Sequence, residues 1–201
     1  LKIDGYVIPK NDEFFSEYSR IDRLKIISNF SGSAGYAIIL KKKNYLFVDG
    51  RYSLQAKIES GKNFSIIDHH KIINCNLFKN LILGISPKFF VSNQIKNFFL
   101  KNNKIELINK DLIGSIYKKQ VNFNKPFFSL NEKTVGENYK NKINRVLKII
   151  KKNKCDSIFI SAPENVAWLL NIRGHDNPNS PIPHCHLFLN KNGKYYLIAD
   201  K

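Results

Sequence analysis

The sequence predicts an α/β fold made of two tandem units, each a mixed sheet flanked by helices, the second one truncated. Two observations carry this. Short apolar runs of strand type alternate with amphipathic stretches of helical period along most of the chain. The order of elements also recurs. Asp4-Gly5-Tyr6-Val7-Ile8-Pro9, a helix, Phe30-Ser31-Gly32 and a hairpin ending at Asp49 span 45 positions. Asp156-Ser157-Ile158-Phe159-Ile160-Ser161, a helix, Ile172-Arg173-Gly174 and a hairpin ending at Asp200 span 44. The expected units are 1–124 and 134–201, joined by a linker over 125–133.

The elements are predicted in order as follows. Asp4–Pro9 is a short buried strand ended by proline. Tyr18, Ile21, Leu24 and Ile27 recur at helical spacing, predicting a helix from Ser16 to Ser28. Tyr36–Leu40 and Tyr45–Val48 form a hairpin around Lys41-Lys42-Lys43-Asn44, and Tyr52–Glu59 is a helix stopped at Gly61. Phe64–Ile67 is a strand, Asn76–Leu83 a helix and Phe89-Phe90-Val91 a strand. Gln94–Leu100 is a helix, Ile105–Ile108 a strand and Leu112–Lys118 a helix. After the break at Lys125-Pro126, Thr134 with Glu137 three residues on reads as a capping box. The helix it opens carries Ile143, Val146, Leu147 and Ile150 on one face. Ser157–Ile160 is a strand, Glu164–Leu170 a helix, and His186–Leu189 with Tyr195–Ile198 a second hairpin.

The formal net charge is +17, which raises the question of nucleic acid. Only five of the 33 basic residues are Arg, leaving 28 Lys, and these are scattered apart from Lys41-Lys42-Lys43 and Lys151-Lys152. A solvated Lys-rich surface, with no nucleic-acid partner, is the expected reading. A basic nucleic-acid-binding module is the alternative. Three well-separated cysteines, Cys75, Cys155 and Cys185, argue against a disulfide scaffold and for a reducing, cytoplasmic compartment. No apolar run approaches the roughly 20 residues that span a bilayer, so no membrane association is expected. The absence of Met and the stop at Ala199-Asp200-Lys201 after an apolar run read as a piece of a longer protein.

Gly32-Ser33-Ala34-Gly35 has the composition of a phosphate-binding loop. Such a loop directs backbone N–H groups at an anion from a helix N-terminus, whereas Gly35 here leads into a strand and no Gly-Lys-Ser/Thr follows. A tight turn at the sheet entry explains the small residues better. Asp49-Gly50-Arg51-Tyr52 lies where a strand turns into a helix. Asp49 is the expected cap and Gly50 the residue able to take a positive φ. Arg51 is either a strut to Asp49 or a guanidinium presented to a substrate carboxylate or neighbouring subunit. His69-His70 fall in a loop. His184-Cys185-His186 place two imidazoles on one strand face, without further ligands at metal-site spacing. No metal and no catalytic residues are expected in this chain.

The motifs Ser16-Glu17-Tyr18, Arg23, Ile27-Ser28-Asn29-Phe30-Ser31-Gly32-Ser33-Ala34-Gly35 and Val48-Asp49-Gly50-Arg51-Tyr52 with Gln55-Ala56 resemble the first domain of aminopeptidase P. This is the Xaa-Pro aminopeptidase family of the creatinase/prolidase superfamily. Thr134-Val135-Gly136-Glu137 resembles the start of its second domain. Ala167-Trp168-Leu169-Leu170-Asn171-Ile172-Arg173-Gly174, followed by Asp176 and Pro181, resembles that domain's signature. Gly32, Ser33, Ala34, Gly35, Asp49, Gly50, Trp168, Arg173 and Gly174 are then structural motif residues, and Arg51 and Tyr52 candidates for proximity to substrate or interface. The resemblance implies two creatinase-type N-terminal domains and a third, catalytic domain absent here. That domain would hold two divalent ions, commonly manganese, on two Asp, one His and two Glu. It further implies a homo-oligomer acting on short peptides with proline second, a metallopeptidase of which this part alone is inactive. A prolidase- or creatinase-like relative is the alternative within the superfamily. His175, and Ile182-Pro183-His184, depart from the family pattern.

Overall fold

The computed structural model describes residues 2–16, 19–72, 77–100, 102–117, 125–177 and 179–199. Glu17, Tyr18, Cys75, Asn76, Lys118, Asn124 and Asp200, used in the sequence reading, lie outside the described residues. The chain forms two units, Leu1–Gln120 and Val121–Lys201.

The first unit runs β1 (Gly5–Pro9), α1 (Arg23–Ser28), β2 (Gly35–Leu40), β3 (Asn44–Val48), α2 (Ser53–Ser60), β4 (Ser65–Asp68), β5 (Ile82–Ile85), α3 (Ser92–Gln94), β6 (Lys104–Leu107) and α4 (Leu112–Ile116). Its strands form one mixed sheet in the order β4-β3-β2-β1-β5-β6. The β1–β2 and β2–β3 pairs are antiparallel, while β3–β4, β1–β5 and β5–β6 are parallel. A strand covered on both faces must be apolar throughout, and all five residues of β1 are buried. Its side chains alternate between two cores. Val7, Tyr45 and Phe47 join one with Phe78 and Phe89, and Tyr6, Ile8, Leu46 and Val48 join the other with Leu24, Ala56 and Ile113.

Three sequence expectations fail here. The helix predicted from Ser16 begins only at Arg23, because the Asp22 carboxylate accepts from the Lys25 amide at 3.0 Å and caps it there. Upstream, Asp12 accepts from the Phe14 and Ser16 amides at 3.0 and 2.9 Å, which folds that stretch into a turn. The helix predicted over Asn76–Leu83 gives way to β5, whose alignment beside β1 and β6 overrides the local periodicity. Phe89-Phe90-Val91 is no strand, since Pro87–Phe89 is a 3₁₀ turn that drives both rings into the core. One pair ties the unit together: the buried Arg23 donates from Nε to Asp111 Oδ2 at 2.8 Å, with its guanidinium 4.0 Å over Phe89.

The second unit runs β7 (Phe128–Ser129), α5 (Glu132–Val135), α6 (Tyr139–Lys152), β8 (Ser157–Ile160), α7 (Pro163–Leu170), β9 (Ile172–Arg173), β10 (His186–Asn190) and β11 (Tyr195–Ile198). An antiparallel sheet has the order β11-β10-β8, and β7 pairs with β9. Leu187 and Leu189 of β10 pack on Val166 and Leu169 of α7 and on Ile143 and Ile150 of α6. Thr134 is not a cap. Asn131 accepts from the Thr134 amide, α5 ends at Gly136 with φ 78, and Asn138 caps α6.

Glu137 instead pairs with Arg145, whose hydrogen bonds hold the Glu137 carboxyl below its ordinary value of 4.5. A carboxylate depressed in the folded state stabilises fully above the unfolded value, and that contribution is lost as pH falls through the folded value. Thermal melts between about pH 3 and 7 are therefore expected to show an acid limb that Glu137→Gln makes shallower. An unchanged limb in the variant would contradict the pairing.

The two units share one frame. β1, α1, β2 and β3 correspond in order and in antiparallel pairing to β8, α7, β10 and β11. The helix of each copy ends on an asparagine in the left-handed region, Asn29 at φ 64 and Asn171 at φ 55. The fold is thus two tandem α/β units with flanking helices, as the repeat predicts, but only the first has the expected mixed sheet. Among the described residues the second pairs its strands antiparallel throughout, because the strands that share its sheet are joined as a hairpin and its return.

Candidate functional site

The corner between β2, β3 and α2 gathers the two ends of the Gly32–Tyr52 stretch. After Asn29 reverses the chain, Phe30 is fully buried and meets the Tyr52 ring edge-on, with centroids 5.7 Å apart at 79°. The Ser33 and Tyr52 hydroxyls share a hydrogen bond of 2.9 Å. Small residues are required here: a Cβ on Gly35 would stand 2.8 Å from the Phe47 carbonyl oxygen. The Ser31 amide, the kind of donor a phosphate would seek, is taken by Glu59 at 2.8 Å, and the Ser31 hydroxyl donates to the same carboxylate. This loop is a turn held by its own helix. Tyr52→Phe is expected to cost about 1 kcal/mol in urea unfolding, the net worth of one hydrogen bond. A neutral result would mean the hydroxyl pair contributes nothing.

Asp49 caps the turn Gly50–Tyr52 by accepting from the Arg51 amide at 2.9 Å, and takes Arg51 Nε at the same distance. Those side-chain and backbone hydrogen bonds from Arg51 hold the Asp49 carboxyl below its usual range, with His69 adding a smaller push. Arg51 is thus a strut to Asp49 whose side chain remains 76% exposed. Gly50 does not adopt a positive φ, contrary to expectation; it sits in the 3₁₀ turn itself. A cavity of about 220 Å³ opens beside this corner, lined by Ser33, Ala34, Gly35 and Asp49 together with Lys10 and His69. Lys10 is buried and paired with Asp22. The cavity is small and mixed in charge. Ser33 is bonded to a phenol and to no general base, so the hydroxyl is not set up as a nucleophile.

In the second unit the signature residues surround the C-terminal end of α7. The Lys142 ammonium, on a side chain only 3% exposed, donates to the Trp168 carbonyl at 2.9 Å and to Asn171 Oδ1 at 2.7 Å. It also lies 4.5 Å from the Trp168 ring centroid. Arg173 Nη1 donates to the carbonyls of Ala167 and Ile172 at 3.2 and 2.8 Å. A Cβ on Gly174 would stand 2.9 Å from Pro183 Cα, so only glycine fits. These contacts complete a helix end, where cations meet the negative pole of the dipole. Lys142 was not singled out by the sequence reading, which grouped the scattered lysines into one solvated surface.

The histidines part company. The buried His184 donates its backbone amide to Asp176, and His186 Nδ1 lies 2.9 Å from the Ser161 carbonyl. Among the described residues, the side chains that converge as metal ligands are Asp68, His69 and His70, with one ligand atom of each within 4.8 Å of the others. That set has one carboxylate and two imidazoles. It does not fit a dinuclear centre built on four carboxylates and one imidazole, so no step of a reaction is derived from it. The convergence was missed because the pair was read as loop. The parallel register of β3 with β4, in which Val48 faces Asp68, places the Asp49 corner next to it.

Comparison with known proteins agrees with this picture. Residues 118–201 match the model of the Creatinase/Prolidase N-terminal domain. The "Probable Xaa-Pro aminopeptidase P" of Coprinopsis cinerea is 30% identical over 196 residues, covering 90% of this chain and 32% of that one. The "Aminopeptidase P1" of Lotus japonicus is 28% identical over 217 residues, covering 99% and 32%. The chain therefore spans about a third of the length of the curated relatives it matches. In structure it superposes on the X-prolyl aminopeptidase from Caenorhabditis elegans, a cytosolic enzyme with a di-nuclear active site, with a TM-score of 0.87 at 23% identity. That match covers 99% of this chain and 35% of the other. Residues 118–201 are thus similar to the Creatinase/Prolidase N-terminal domain, and the whole chain shares the fold of about a third of an X-prolyl aminopeptidase.

Proposed function

We propose that this chain is the non-catalytic N-terminal part of a cytoplasmic, metal-dependent Xaa-Pro aminopeptidase that removes the residue preceding proline from short peptides. One observation carries the reading: about a third of the length of such peptidases aligns over 90% or more of this chain. In the parent protein, two divalent ions, manganese by the family resemblance, belong to a domain downstream of Lys201. The two α/β units serve assembly into a homo-oligomer and shape the approach to the active site. Arg51 and Tyr52 are the residues nearest to substrate or a neighbouring subunit in this reading. The exposed guanidinium of Arg51, already held in place by Asp49, supports that role. No helix among the described residues is long and apolar enough to cross a membrane.

The coding sequence past Lys201 tests the proposal first. Two Asp, one His and two Glu spaced as ligands are expected there, and their absence would overturn the enzyme class. In the parent enzyme, Arg51→Ala is expected to raise KM or lower the oligomeric mass by light scattering, with the melting temperature nearly unchanged. Unchanged kinetics and mass together would remove Arg51 from the site.

A further inference from the structure

We propose that Asp68, His69 and His70 form a mononuclear site for a divalent transition-metal ion that favours imidazole, with Zn²⁺ as its probe. The three residues end β4 and open the 3₁₀ turn His69–Ile72. That geometry brings the two imidazoles side by side, with centroids 4.5 Å apart and planes at 46°. Asp68 Oδ1 accepts from the His70 amide at 2.9 Å, which fixes the carboxylate over the turn. Its Oδ2 points toward Gly50, where even an added Cβ would remain 4.0 Å away.

A second observation is independent of this clustering. His69 Nδ1 is buried and has no hydrogen-bond partner among the described residues. A polar atom removed from water without a partner is destabilising, and coordination of a cation by that nitrogen would supply the missing partner.

The fit requires little movement. Ligands of a tetrahedral ion at about 2.1 Å lie roughly 3.4 Å apart, and these atoms already lie within 4.8 Å of one another. Side-chain rotation closes the difference, and water fills the remaining position. Two imidazoles with one carboxylate select the borderline metals over Mg²⁺ or Ca²⁺, which take oxygen shells. The cavity lined by His69 and Asp49 supplies an entry path.

Calorimetric titration of Zn²⁺ into the reduced, purified chain tests the site. One equivalent is expected to bind, unaffected by excess Mg²⁺, and to broaden or shift the imidazole resonances of His69 and His70. That equivalent is expected to be lost in His69→Ala and in His70→Ala, and retained in Cys155→Ser. His70 is exposed, so its variant stays interpretable if the half-buried His69→Ala does not fold. Absence of a bound equivalent, or its persistence in His70→Ala or in a folded His69→Ala, would overturn the site.

Discussion

Arg23→Ala is expected to lower the stability of the first unit by about 3 kcal/mol, the cost of breaking a buried ion pair from one side. Arg23 is 7% exposed. It reaches Asp111 through Nε at 2.8 Å and Nη2 at 2.7 Å, and donates to the Ile21 carbonyl at 3.3 Å. Truncation leaves the partly buried Asp111 carboxylate without its cation and removes the guanidinium that covers Phe89. Asp111 has a second duty, since it caps α4 by accepting from the Gly114 amide at 2.9 Å. Asp111→Ala is therefore expected to cost at least as much, because pair and cap go together. A double-mutant cycle in urea should return a coupling well above 1 kcal/mol. Coupling near zero would mean that the two side chains stabilise the unit separately. Arg23→Lys is not a rescue, because an ammonium cannot present two parallel donors to one carboxylate.

Lys142→Ala is expected to cost the second unit a similar amount, about 3 kcal/mol, for a different reason. The ammonium satisfies the Trp168 carbonyl and Asn171 Oδ1 at the end of α7. Asn171 in turn donates to the Glu137 carbonyl at 2.8 Å while holding the left-handed φ of 55° that stops the helix. Removing Lys142 orphans two acceptors and releases the residue that joins three segments. Lys142→Met, which keeps the stem and drops the donors, is expected to recover only the packing part of the loss. The chain has a single Trp, so its fluorescence reports on this corner directly. Unfolding that leaves the Trp168 emission and the midpoint of Lys142→Ala unchanged would show that the network is ornamental.

Much of the fold was legible because the decisive signals were local. The turn Lys41–Asn44 between two apolar runs, and the pattern Ile143, Val146, Leu147, Ile150, report a hairpin and a helix wherever they occur. The repeat was legible because both copies keep strand, helix and hairpin in one order. Misreadings arose where a distant partner decides. Ile82–Ile85 is a strand because β1 and β6 flank it, and no residue near it announces that. Thr134 resembled a cap, yet Asn131 took the role three residues earlier. At the Gly32–Tyr52 corner, the strut of Arg51 on Asp49 lies within two residues and was foreseeable. The Ser33–Tyr52 bond, the burial of Lys142 and the convergence of Asp68 with two imidazoles depend on packing and register instead.

The small residues of the opening loop are there because the sheet entry leaves no room, and the adjacent acid and cation neutralise each other at a helix start. Under the proposed function the chain is a frame for a catalytic domain. Purified as its 201 residues and incubated with Mn²⁺ and a short peptide bearing proline second, it is expected to release no N-terminal residue. The same chain continued through its downstream coding sequence is expected to release it in the same assay. Cleavage by the 201 residues alone, or none by the extended protein, would contradict the assignment.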